Sequence, residues 1–124
     1  MDADDVMTWV REYERAWREQ DVAAVERLFT EDALYLRGAY DDGLRGRGAI
    51  EDFWLDPTPF TMTAEPVAVD PPTAVLRAEV HYLGEEPHEF RDLWVVRFAP
   101  DGRAEHFEEW AHWPGLEYAG PGGD

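Results

Sequence analysis

The chain contains no cysteine and no lysine. The first absence excludes disulfides, thiolate metal sites and cysteine nucleophiles, and it leaves the redox compartment unspecified. The second excludes a Schiff-base lysine mechanism. No apolar run approaches the roughly 18 residues of a membrane span. The opening MDADDVMTW also lacks the basic segment and apolar stretch of a secretory leader, so a soluble, cytoplasmic protein is expected. Basic residues are scarce, all eleven being arginine against 28 acidic residues, and the formal charge of -17 disfavours nucleic acid and anionic membranes as partners. A high-GC genome is the preferred explanation of such a composition, with adaptation to high salt, where surface carboxylates maintain solubility, as its rival. The GxSxG, HExxH and phosphate-cradling GxxxxGK signatures are missing, so serine hydrolase, zincin and nucleotide phosphotransferase readings have no support.

Large aromatic residues are abundant. Six Trp, six Phe and five Tyr in 124 residues exceed what one core of this size needs, and an aromatic-lined cavity would use the surplus. The length suits a single domain, read here as residues 1–118, with the Gly- and Pro-rich residues 119–124 as a flexible tail.

Apolar residues at helical spacing (Val6, Trp9, Val10, Tyr13, Ala16, Trp17) predict a first helix capped by Asp4 or Asp5 and ending near Gln20. Asp21 is expected to cap a second helix carrying Val22, Val25, Leu28 and Phe29. A strand over 33–40, a glycine-rich loop, and a short helix from Ala49 to about Leu55, stopped by Pro57 and Pro59, follow. Four strand-like runs complete the chain: 60–69, 73–83, 88–99 and 103–113. Their short turns imply an antiparallel meander, hence an α+β domain with helices on one side of a strongly curved sheet.

The run HEFRDLWVVRFA, His88 to Ala99, is the most informative. Its alternation places His88, Phe90, Asp92, Trp94, Val96 and Phe98 on one apolar face, with a carboxylate in the middle. Such a group must find a donor, change its pKa or line a cavity.

The segments YERAWREQDVAAVERLFTEDALY, GRGAIEDFW, VVRFAPDGR and HFEEWAHWPG, in this order and spacing, resemble the nuclear transport factor 2-like superfamily. That superfamily includes the SnoaL-like polyketide cyclases, ketosteroid isomerase and limonene epoxide hydrolase. The resemblance covers almost the whole chain. It implies a cone-shaped fold in which three N-terminal helices close a curved, mixed but mostly antiparallel sheet around one deep pocket, often with dimerisation through the outer sheet face. Tyr13 matches the position of the isomerase's oxyanion-hole tyrosine. Its general-base aspartate matches Arg37, and its protonated aspartate matches Trp94, so steroid isomerisation by that mechanism is not expected. Carried over the same way, the inward set is Tyr35 and Arg37, Asp92 and Trp94, Phe107 and Glu109, with Trp17 and Trp54 from the helices.

The expected catalytic groups are therefore Asp92, Glu109, Arg37 and Tyr13, the arginine facing two carboxylates whose pKa values the environment separates. Trp17, Tyr35, Trp54, Trp94 and Phe107 are expected to contact the ligand. His88, at the mouth end of its strand, is placed near the pocket as a proton shuttle. Each assignment has a structural alternative: a buried ion pair for the charged trio, core packing for the rings. No metal site and no cofactor are expected. His106, Glu108 and His112 lie on one extended strand, where alternate side chains sit about 6 to 7 Å apart. The expected partner is a hydrophobic or aromatic small molecule, turned over by cofactor-free acid/base chemistry (cyclase, isomerase or hydratase/hydrolase type) or merely bound by a non-catalytic module. A homodimer is expected from Leu93, Val95 and Trp110 on the outward faces.

Overall fold

A computed structural model describes residues 1–54 and 58–116, so Pro57 and the expected tail at 119–124 lie outside the described residues. Helix α1 spans Ala3–Arg18 and buries all six residues of the expected stripe. Its cap is Asp2, not Asp4 or Asp5. The Asp2 carboxylate accepts from the Asp5 amide at 2.9 Å and the Asp5 carboxylate accepts from the Asp2 amide at 3.0 Å, a reciprocal capping box in which Asp5 is the second partner. The second helix is shorter than the spacing implies: a 3₁₀ turn at Val22–Ala24 followed by α2, Val25–Leu28. Asp21 makes no side-chain cap there; its carboxylate instead accepts from Arg15 at 3.1 Å. Phe29 already belongs to the sheet, because β1 covers Phe29–Leu36 rather than starting at residue 33.

The glycine-rich loop holds a short strand, β2 (Leu44–Arg45), which folds back on β1. Gly43 permits this return. Its φ is +95°, and a Cβ there would stand 2.7 Å from Leu34 Cδ1. Helix α3 spans Arg47–Phe53, and the chain then enters β3 (Phe60–Asp70), β4 (Thr73–Tyr82), β5 (His88–Phe98) and β6 (Ala104–His112). The sheet order is β2-β1-β6-β5-β4-β3, antiparallel throughout except for the parallel β1–β6 pair. One mixed six-stranded sheet with helices on its concave side is thus the observed α+β architecture.

Aromatic packing joins the layers. Trp9 donates its indole N–H to the Leu28 carbonyl at 3.0 Å, tying α1 to α2. Tyr13 stacks on Phe107 of β6 at 5.6 Å between centroids, and Trp54, just past α3, meets Trp17 edge-on at 4.8 Å. Arg18 donates to the Phe60 carbonyl at 2.6 Å and lies over that ring, fastening the end of α1 to the start of β3. Among the described residues no helix is long and apolar enough to cross a membrane.

Two substitutions separate these contributions. Trp54→Ala, which empties a fully buried site, is expected to cost roughly 3–5 kcal/mol. Asp2→Ala, which removes only the cap, should cost about 1 kcal/mol. Guanidinium unfolding curves of the two variants check the ranking.

Candidate functional site

Strand register brings the two inward carboxyl groups together. Trp94 of β5 stands opposite Glu109 of β6, and Asp92 stands opposite Ala111, so Asp92 and Glu109 are diagonal neighbours on the concave face. Asp92 is 3 % exposed. Its Oδ2 accepts a long bond from the Trp94 indole at 3.4 Å, while Oδ1 receives nothing from any N–H group. Glu109 is the neighbouring group that bonds to the Asp92 carboxyl. Burial, followed by the charge of Asp92 and a hydrogen bond to it, pushes the Glu109 carboxyl up to about 8. Burial also raises Asp92, opposed by its bonds from Glu109 and Trp94. At neutral pH the two therefore hold one proton between them, chiefly on Glu109, since two adjacent charges in this setting would repel at low dielectric.

Beside the pair lie two phenols. The hydroxyls of Tyr13 and Tyr35 are 2.7 Å apart, and burial lifts both pKa values well above the ordinary tyrosine range. Both stay neutral. Of their two protons one is used in the mutual bond, which leaves the other to serve Glu109 or a ligand oxygen. Tyr35 in turn lies flat on Phe107 at 4.5 Å.

These groups border a cavity of about 100 Å³, walled also by Trp17, Phe53, Phe60, Met62, Val80, Tyr82 and Trp94, with Arg37 at its edge. Its volume is below that of an engineered apolar cavity of ~150 Å³ that admits benzene. One small group fits; anything larger must project outward. A broader surface groove of about 760 Å³ adjoins it, sharing Tyr82 and lined by His81, Pro87, His88, Phe90 and Trp113.

Several expectations need correction. Arg37 does not face the carboxylates. In the parallel register Leu36 pairs with Glu108, and a continued strand would set Arg37 beside Glu109, but β1 ends at Leu36. The chain turns there, and Arg37 Nε and Nη2 donate to the Asp41 carboxylate at 2.9 and 3.0 Å, with the guanidinium over Phe53. Trp54 and Phe107 are fully buried behind the cavity wall and do not line it. His88 lies outside the cavity, in the groove, one strand-turn beyond Phe90 on the same face. Tyr13, Trp17, Tyr35, Asp92, Trp94 and Glu109 do converge.

Phe60, Met62, Val80 and Tyr82 are wall residues that were not expected from the sequence, although alternation along β4 sets Val80 and Tyr82 on the same face as buried Ala74, Leu76 and Ala78. What was lacking was register: Ala78 pairs with Asp92, and Val80 with both Met62 and Phe90, so these side chains stand next to the carboxyl pair. On the outer face His106 Nε2 and Glu108 Oε1 are 2.8 Å apart, bonded to each other.

The raised Glu109 carboxyl has a consequence for stability. An acid whose pKa is higher folded than unfolded is neutral in both states at low pH and costs nothing there. As pH rises from the unfolded value near 4.5 toward about 8, the unfolded chain ionises first and folding weakens. Glu109→Gln should remove this loss, so the variant gains on the wild type progressively between pH 5 and pH 8, by a few kcal/mol at the upper end. Urea unfolding at a series of pH values measures the difference; a constant difference contradicts the assignment.

Comparison with known proteins supplies the family. The SnoaL-like domain matches residues 10–112. No curated protein matches in sequence. Among solved structures, the epoxide hydrolase/cyclase-like enzyme SalBIII of pyran ring formation in salinomycin is 19% identical at a TM-score of 0.74, covering 86% of this chain and 89% of its own. A putative ketosteroid isomerase from Kribbella flavida is 19% identical at 0.72, covering 98% and 86%. A Mycobacterium tuberculosis protein, Rv0760c, solved in complex with estradiol-17beta-hemisuccinate, is 16% identical at 0.72, covering 86% and 92%. At such identities the likeness is one of fold. With the family match over most of its length and the cone-like sheet and helices just described, the chain belongs to the SnoaL-like domain family of the nuclear transport factor 2-like superfamily.

Proposed function

We propose that the cavity binds the polar end of a small hydrophobic molecule and that Asp92 and Glu109 exchange a proton with it, without a cofactor. The observation that carries this reading is the geometry: buried Asp92 and half-buried Glu109 are diagonal neighbours inside an aromatic wall, with the guanidinium at its edge committed to Asp41. Glu109 is the acid and Asp92 the base of such a pair. A pKa near the working pH suits both gain and loss of a proton. The free proton of the Tyr13–Tyr35 couple can steady a developing oxyanion. Cyclisation, isomerisation and epoxide or hydrate chemistry all need only these parts, and the structural neighbours include a hydrolase/cyclase-like enzyme and a putative isomerase. The ketosteroid isomerase route itself is not proposed, because Arg37 and Trp94 occupy two of its acidic positions.

The second reading is a non-catalytic binding domain. The cavity of about 100 Å³, which admits one small group and no whole substrate, favours it. Thermal-shift screening of neutral mono- and polycyclic compounds separates ligand binding from structural pairing. A ligand at about a hundred times its Kd stabilises by about 2.7 kcal/mol. Asp92→Asn is expected to diminish the response of each hit while circular dichroism stays native. Loss of the native spectrum would assign Asp92 to the fold, and hits that ignore the substitution would remove the pair from the site. Turnover of a hit, followed by mass change or proton uptake, distinguishes enzyme from binder.

A homodimer through the outer sheet face belongs to the same proposal. Leu93 and Trp110 pair directly across β5 and β6 and are 44 % and 52 % exposed, two adjacent large apolar side chains on the outer face that a second copy would cover. Sedimentation should show a dimer at micromolar concentration, and Trp110→Glu should yield a monomer.

A further inference from the structure

The polar equipment of the cavity leans to one sign. Two carboxyl groups and the phenols of Tyr13, Tyr35 and Tyr82 line it, whereas the guanidinium at its edge is held by Asp41, which also accepts the Arg37 amide at 2.9 Å. No other basic residue lines it among the described residues. A ligand carboxylate or phosphate would meet like charge there, within a chain of formal charge -17. A cation would meet the opposite. Asp92 Oδ1 is buried and takes no N–H bond, Glu109 stands ready to ionise beside it, and the rings of Trp17, Tyr35 and Trp94 enclose the space. Rings of this wall already accept cations from outside: Arg37 lies 5.7 Å from the Phe53 centroid and Arg18 lies 4.6 Å from that of Phe60.

From this arrangement we infer that the cavity recognises the protonated amine of an otherwise apolar molecule, its N–H donated to Asp92 Oδ1 and its charge shared between the carboxyl pair and the surrounding rings. The ammonium takes over the part that the shared proton plays when the cavity is empty of ligand, and that proton leaves to solvent as Glu109 ionises. No bond is made or broken. An ammonium head of a few heavy atoms is within the available volume of about 100 Å³, and its apolar substituent projects past Phe53 and Tyr82 toward the groove. The inference rests on the cavity being a ligand site, as proposed above, and adds the charge class of the ligand.

Benzylamine, benzyl alcohol and benzoate carry one ring and differ only in the head group. Trp17 and Trp94 line the cavity, so quenching of tryptophan fluorescence at neutral pH and near-physiological salt reads all three. Benzylamine is expected to bind about tenfold or more tightly than the alcohol, a difference of about 1.4 kcal/mol, and benzoate to give no saturable response. In Asp92→Asn the amine-to-alcohol ratio should fall toward one; Glu109→Gln provides the same comparison if the first variant does not fold. Wild-type binding of the alcohol as tight as that of the amine overturns the inference and leaves the cavity reading standing. An amine preference that survives both substitutions assigns it to general surface charge and overturns the inference too. No response to any of the three probes overturns both.

Discussion

Two carboxyl groups that cannot both be charged set the terms for the concave face of this protein. Asp92 is buried and Glu109 half-buried beside it, and the one guanidinium at their cavity among the described residues, Arg37, is bound to Asp41. Buried like charges repel strongly, so the pair keeps a proton that either group would lose in water. Burial and the charge of Asp92 raise the Glu109 carboxyl, while Asp92 Oδ1 keeps no hydrogen-bond partner of its own. The neighbouring tyrosines remain neutral because burial and the adjacent negative charge both oppose a phenolate.

The scaffold holds this pair by ordinary means. Alternation along β5 and β6 points the two side chains inward, and antiparallel register makes them diagonal neighbours. Helix α1 brings Tyr13 against Phe107 and Trp94, which sets its hydroxyl beside Tyr35. A layer of fully buried rings behind the cavity, Trp54 and Phe107 among them, fixes the positions of the residues that line it. Residues that pack and residues that border the cavity are thus drawn from the same aromatic set and differ only in depth. Because one fold of this kind supports many activities, the chemistry has to be argued from the pair and its wall rather than from the likeness to cyclases or isomerases.

Arg37 illustrates how a local turn alters a site. Its place in the sequence, two residues after inward-facing Tyr35, predicts a cation opposite the carboxyls. The strand stops one residue earlier, and the Asp41 carboxylate, offering both oxygens to the guanidinium and one to the backbone amide, captures it. The cation at the edge of the site is thus neutralised by Asp41, which leaves the carboxyl pair without a free countercharge and underlies its expected preference among ligands. His88 shows the complementary case: the alternation that put it on the concave face is correct, but distance along β5 takes it past Phe90 and out into the groove.

The sequence by itself made most elements and their faces legible, with β2, the early start of β1 and the shortened second helix as the exceptions. Helical spacing identified every buried residue of α1, and period-two alternation singled out Asp92 as a carboxylate on an apolar strand face, because both signals are local and repeat along the chain. It also carried the family, through the order of its segments. Tertiary structure alone decided which inward residues are neighbours, where β1 ends, and which rings line the cavity or back it. Those outcomes depend on inter-strand register and on a five-residue turn competing for Arg37, and contacts between distant segments leave no periodic trace in the residues that make them.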